Sequence, residues 1–154
     1  MSATIQIIPY RDDLLPYFRD FNIAWLEKYF YVEPIDIEIF AHPHQYILDG
    51  GGSIFFAKYG EQIAGTCALI RTKSGELELA KMAVDESFQG KGIGQALLKA
   101  AIEKAKQMGE EKLMLYSNTQ LQPAIHLYKK HGFTEVPLGN IGYKRSNIKM
   151  EKML

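Results

Sequence analysis

Gly90, Gly92 and Gly94 alternate along Gln89-Gly90-Lys91-Gly92-Ile93-Gly94, between a strand-like run, Leu77 to Val84, and an amphipathic helical run. Glycine lets a backbone turn tightly and approach a ligand where a Cβ would obstruct. A helix that starts there aims unpaired N–H groups and the positive end of its dipole at whatever occupies the loop. Such a loop suits a phosphate or pyrophosphate. Two common glycine loops are excluded. In the dinucleotide fingerprint G-x-G-x-x-G the third glycine would fall on Gln95, and the triphosphate loop fails because Gly92 follows Lys91.

Other reactive side chains carry less. The single cysteine, Cys67, excludes an internal disulfide and a multi-cysteine metal site. It lies in a strand-like run, Ile63 to Arg71, where a small buried core residue is the better reading than a nucleophile. His42 and His44 flank Pro43 without a clustered third ligand, so no metal site is read. His126 has no group to orient it and reads as a surface histidine.

The chain that must position these groups has 154 residues, a length that suits one domain, 1–154, with a sizeable core. It is 47% hydrophobic and 23% charged, an ordinary soluble composition. Its 18 basic and 18 acidic side chains cancel, so neither a polyanion nor a membrane surface is indicated as partner. Nucleic-acid binding is disfavoured for the same reason and by the lack of a basic stripe. No apolar leader, spanning segment or lipidation signal is visible, and a cytoplasmic protein is expected.

Thr4 to Ile8 reads as a strand stopped by Pro9. Asp12 and Asp13 are candidates to cap the next helix, with Pro16 in its first turn. Leu14, Phe18, Phe21 and Trp25 recur at helical spacing and predict its buried stripe. Residues 34–48 suggest a short second helix and a loop broken at Pro43. Strands are expected near 53–59, 62–73 and 76–84, joined at Gly60-Glu61 and Ser74-Gly75. From Gly94 to Met108, Leu97, Leu98, Ala101, Ile102 and Ala105 share one helical face, and Gly109 is a natural stop. A strand at 112–117, a helix at 123–131 and strands at 133–136 and 143–153 complete the order.

The surviving motif, Q-x-x-G-x-G after a strand ending Met82-Ala83-Val84, resembles the acetyl-CoA loop of the Gcn5-related N-acetyltransferase (GNAT) superfamily. Glu78-Leu79 resembles the family's E-L at the start of its central strand. Asn118 follows the strand-like run Lys112 to Tyr116. Pro123 to Phe133, with Tyr128 and then Gly132-Phe133, resembles the second signature. These pieces stand in the family's order across residues 53–135. The resemblance implies an α/β (α+β) fold: a mixed, mostly antiparallel sheet of about seven strands flanked by about four helices.

The resemblance also implies a donor site. Met82, Ala83 and Val84 would hold the pantetheine arm of acetyl-CoA and polarise the thioester carbonyl through backbone groups, such a donor being worth about 3 kcal/mol in the transition state. Gln89, Gly90, Lys91, Gly92, Ile93, Gly94 and Gln95 would take the pyrophosphate. Lys91, Lys129 and Lys130 could add charge, or be solvated. Asn118 could bind the cosubstrate or make an Asx turn. Tyr128 stands where the family keeps a tyrosine that protonates the leaving thiolate, with a core tyrosine as the alternative.

Chemistry asks for a base as well. A lysine-like amine of pKa about 10.4 costs about 4.6 kcal/mol to deprotonate at pH 7. Glu78 is the candidate, since the family often places a glutamate there; a strand glutamate in an ion pair is the alternative. On strand alternation, Glu78, Met82 and Val84 point one way and Leu77, Leu79 and Ala83 the other. At strand rise Glu78 lies about 13 Å along the chain from Met82, which suggests a water relay.

Trp25 to Phe30, with Val32-Glu33-Pro34 and Asp36, resembles the acetyltransferase half of proteins fused to a MarR-like DNA-binding domain, so a standalone form is expected. Trp25, Glu27 and Glu33 are candidate acceptor-binding residues; the acidic pair and Asp36 could equally be a solvated face and a helix start. The expected activity is N-acetyl transfer from acetyl-CoA to a small-molecule or protein amine, by direct attack in a ternary complex. A CoA-binding regulatory module without turnover is the rival, and a homodimer is left open.

Overall fold

Apolar runs between glycine turns build the central sheet, and amphipathic runs cover it. A computed structural model of the chain describes residues 4–139 and 145–154. β1 (Ile5–Pro9), β2 (Ser53–Tyr59), β3 (Gln62–Arg71) and β4 (Leu77–Val84) pair antiparallel in succession. Gly60 and Gly75 turn the chain between β2, β3 and β4 at φ of 63° and 89°, where a side chain would strain the backbone. β5 (Lys112–Ser117) runs parallel to β4, and β7 (Ile148–Met153) lies antiparallel between β5 and β6 (Thr134–Val136). The resulting order is β1-β2-β3-β4-β5-β7-β6. With α1 (Leu15–Tyr29), α2 (Pro34–Ala41), α3 (Ile93–Gln107) and α4 (Gln122–Lys130), this is the mixed, mostly antiparallel sheet and helix set expected.

Each face of the sheet carries a core. Leu97, Leu98 and Ala101 of α3 and Ile125 of α4 bury against Leu69, Leu77, Leu79 and Leu113 on one face. Phe18 and Leu26 of α1 and Phe40 of α2 bury against Ile54, Phe56 and Ala68 on the other. Each leucine, isoleucine and phenylalanine among them contributes about 1.5–3 kcal/mol by leaving water. Both helix layers are therefore fixed to the sheet.

Four expectations are corrected. Asp12 and Asp13 do not cap α1: both lie in a 3₁₀ turn, Asp12–Leu14, and spend their carboxylates on His44 and Arg11. The buried stripe of this segment is Leu14, Phe18, Asn22 and Leu26, while Phe21 and Trp25 are half-buried. A step of four admits Asn22 because its Nδ2 donates to the Phe18 carbonyl at 2.9 Å, which satisfies the amide in the core. The last strand starts at Ile148 rather than 143; Tyr143 and Lys144 lie outside the described residues.

The fourth correction bears on the site. β3 pairs Thr66 with Ala83 but Ala68 with Ala80, so Lys81 and Met82 together oppose Cys67. Lys81 adopts φ 55°, the left-handed region. A bulge of this kind reverses the in–out alternation of the strand. Leu77 and Leu79 before it, and Met82 and Val84 after it, meet the α3 core, whereas Glu78 sits beside Ile70 on the α1 side. Glu78 does not share a face with Met82 and Val84.

Candidate active site

β4 and β5 pair only at Glu78 with Met114 and Leu79 with Leu115. Beyond those residues the two parallel strands part, leaving backbone edges without a ladder partner. The space between them is a cleft of about 590 Å³. Lys81 to Val84 line one wall, and Tyr116, Ser117 and Asn118 line the other.

The glycine loop stands at the end of this cleft. Asp85 opens it, its carboxylate accepting from the Ser87 amide at 3.2 Å, and Gln89 Nε2 donates back to the Val84 carbonyl at 3.4 Å. Gly90 and Gly92 adopt φ of 78° and 82°, and Gly92 is the left-handed residue from which α3 departs. The backbone amides of residues 90–95 donate to no protein acceptor among the described residues. Clustered free N–H groups at a helix start make an anion site. Gln89 and Gly94 line the cleft, with Gly90 to Ile93 between them in the chain; Gln95 Oε1 accepts from Lys130 at 3.4 Å. Lys91 is exposed, its Nζ lying 5.5 Å from the centre of the Tyr59 ring.

Tyr128 enters the cleft from α4, its ring edge-on to Phe133 at 6.0 Å. Burial, with a smaller contribution from Cys67, pushes its hydroxyl above the ordinary tyrosine range, so it is protonated at neutral pH. Cys67 is fully buried, and burial pushes its thiol up as well. Glu78 is 5% exposed and lines the cleft. Its neighbour is Tyr116, whose hydroxyl is raised chiefly by burial, with Glu78 among the charges that add to this. Asn118 both lines the cleft and makes an Asx turn, its Oδ1 accepting from the Gln120 amide at 3.0 Å.

The far end of the cleft is aromatic. Trp25 lines it with Tyr29 and Phe30, both ring centres 5.5 Å from the indole. Glu27 is exposed and does not line it. Glu33 accepts from Arg145 Nη1 at 3.2 Å, and Asp36, 1% exposed, is gripped by Arg145 and Lys81. Burial works to raise the Asp36 carboxyl, but Arg145, the Glu33 amide and Lys81 outweigh it and hold it below the usual range. His42 and His44 border a separate surface cavity with Tyr10 and Asp12.

Met82, Ala83, Val84, Gln89, Gly94, Asn118, Tyr128, Glu78 and Trp25, selected from the sequence, thus meet in one cleft. Sequence reasoning missed Asn22, Lys81, Tyr116 and Arg145, which also line it. Asn22 carried a signal, as an amide four residues after Phe18 in an apolar stripe. Lys81 carried none, because nothing local marks a lysine for a left-handed bulge.

The sheet order and the parted strands define the fold of GNAT acetyltransferases. The chain is similar to an acetyltransferase of that family from Staphylococcus aureus Mu50, with a TM-score of 0.86 at 23% identity over 97% of this chain and 99% of that one. It is similar in fold to the PaiA N-acetyltransferase of Thermoplasma acidophilum solved with coenzyme A, with a TM-score of 0.73 at 20% identity over 98% of this chain and 99% of that one. The chain belongs to the acetyltransferase (GNAT) family, whose model matches residues 11–133. It is 34% identical over 104 residues to the uncharacterized N-acetyltransferase YvbK of Bacillus subtilis (strain 168), covering 66% of this chain and 67% of that protein. Membership in this family supports N-acetyltransferase activity. Among the described residues no helix is long and apolar enough to cross a membrane.

Proposed function

We propose that the chain transfers an acetyl group from acetyl-CoA to a primary amine, by direct attack in a ternary complex. The observation that carries this reading is the parted β4–β5 cleft, which ends at the free amides of residues 90–95 and has Tyr128 and Glu78 in its walls. The amides suit the pyrophosphate of CoA, and the strand edge suits the amide-bearing pantetheine arm. The coenzyme A in the Thermoplasma neighbour supports the same ligand here.

The chain's own groups then divide the chemistry. The amine nitrogen adds its lone pair to the thioester carbonyl, backbone N–H groups near the bulge stabilise the developing oxyanion, and the carbon–sulfur bond breaks. The thiolate takes the Tyr128 proton, which the raised hydroxyl keeps available at neutral pH. The proton released by the amine passes to Glu78 through water. Trp25, Tyr29 and Phe30 hold the body of the acceptor.

The test is acetyl-CoA with a panel of primary amines, read by thiol release and by product mass. An acetylated amine formed in step with free CoA is expected. Stoichiometric CoA binding with no thiol release from any amine would overturn turnover and leave a CoA-binding module.

A further inference from the structure

Lys81 holds a backbone conformation that lysine does not favour. At φ 55° its Cβ crowds the following carbonyl, a cost that glycine escapes. No glycine or asparagine occupies the bulge, so something else must keep the residue there. Its side chain is little exposed and ends on Asp36 Oδ1 at 3.1 Å, with the Phe40 ring 5.5 Å from its Nζ.

Asp36 is itself fixed from every side. Its Oδ2 accepts from the Glu33 amide at 2.8 Å and from Arg145 Nη1 at 2.8 Å, while Oδ1 accepts from Arg145 Nη2 at 3.0 Å as well as from Lys81. The Glu33 contact is half of the capping box that starts α2. One buried carboxylate therefore joins the start of α2, the bulge and the segment carrying Arg145. Charged hydrogen bonds of this kind are directional and strong.

We propose that Asp36 is a positioning residue, which acts through Lys81 to hold the β4 bulge in the left-handed form that presents Met82 and Val84 to the acetyl group. This rests on the acetyl-transfer reading of the cleft. Asp36 touches no reactant, since its carboxylate is occupied by Arg145, Lys81 and the Glu33 amide.

Glycine and methionine at position 81 separate backbone from charge, because both remove the ammonium but only glycine accepts φ 55° without strain. Lys81→Gly should keep a kcat clearly above that of Lys81→Met, since glycine holds the bulge without the ammonium. Lys81→Met should lower kcat about ten- to hundredfold, the loss expected for misplacing a reacting group by about 1 Å. CoA affinity should stay nearly unchanged in both, since the loop at 89–94 is untouched. In Asp36→Asn, Lys81→Gly should restore kcat and Lys81→Met should not.

Equal activity of the glycine and methionine variants, high or low, would overturn the proposal. If Asp36→Asn does not fold, as a thermal melt would show, the two single Lys81 variants decide alone. A wild type that acetylates no amine would sink the acetyl-transfer reading instead. Calorimetry then judges the bulge: Lys81→Met should weaken acetyl-CoA more than CoA, and equal weakening of both would overturn it.

Discussion

Glu78 and Met82, four residues apart on β4, lie on opposite faces of the sheet, because Lys81 adds a residue between them. Both still line the cleft, which opens through the gap beside β5. A strand without the bulge would set them on one face. The insertion lets a carboxylate on the α1 side and a backbone edge packed on the α3 side border the same space.

Glu78→Gln should depress kcat/KM most at low pH, where free amine is scarce, and recover partly as pH rises. Alkaline solution supplies the unprotonated acceptor that the carboxylate otherwise generates. A glutamate needed only for packing predicts a loss independent of pH, with a lower melting temperature. Parallel pH–rate profiles for the two proteins would remove the base assignment.

Tyr128→Phe should leave acetyl-CoA affinity intact and lower kcat. General-acid help is worth about two to four orders of magnitude, and the lower end applies because a thiolate leaves readily. The pH dependence has a sign. Burial raises the hydroxyl above its usual value of about 10, so wild-type kcat should not fall near pH 10 on its account. A rate equal to wild type, with chemistry shown to be limiting, would make Tyr128 a packing residue.

At the loop, Gly94→Val is a cleaner probe than any change at Gly92. Gly92 sits at φ 82°, so a side chain there strains the backbone by about 1–2 kcal/mol before any ligand is considered. Gly94 is helical, and among the described residues beyond its own helix a Cβ would meet only the Leu127 Cδ2 at 4.0 Å. The expected result is a CoA dissociation constant raised at least tenfold with little change in the melt. An unchanged affinity would remove the loop from the site.

Cys67 should resist thiol reagents in the folded protein at pH 8 and react once urea unfolds it. The reason is burial, which both hides the thiol and raises its pKa. Cys67→Ala should retain most of kcat, in keeping with direct attack. A trapped acetyl-cysteine would contradict the ternary-complex route.

The segment before β2, expected as a loop, forms a π-helical turn, His44–Leu48, and offers a titration. His44 is raised above its usual value first by its hydrogen bond to Asp12, 2.7 Å from its Nε2. Its contribution to stability is full below the unfolded pKa of about 6.5 and is lost as pH rises through the folded value. Asp12 is lowered, chiefly by the same bond, so its contribution is lost as pH falls through its own folded value. An imidazole NMR titration should give a midpoint above 6.5 that falls in Asp12→Asn. An identical midpoint in both proteins would dissolve the pair.

Local signals carried the fold far. Turns at Gly60 and Gly75 and the apolar face of α3 located β2, β3, β4 and α3 to within about two residues, because glycine dihedrals and helical periodicity are properties of neighbours in sequence. The cleft residues on β4, α3 and α4 came through motifs of the same local kind. The acceptor end did not. Asp36 and Arg145 are 109 residues apart, so their grip on each other leaves no trace in either segment alone. The bulge at Lys81 was hidden for a related reason: its unusual φ accompanies a tertiary contact to Asp36, not a residue type that favours it.

The two residue pairs that join β4 to β5 have a mechanical consequence. Strands β1 to β4 and strands β5 to β7 are two plates that meet along a short weld, with an open seam beyond it. A molecule lodged in the seam with bonds to both plates is a strut as well as a reactant. Stiffness across the middle of the sheet then rises on loading and relaxes on release. Each catalytic cycle would therefore be a cycle of bracing and unbracing, readable as amide exchange that slows on both sides of the seam together.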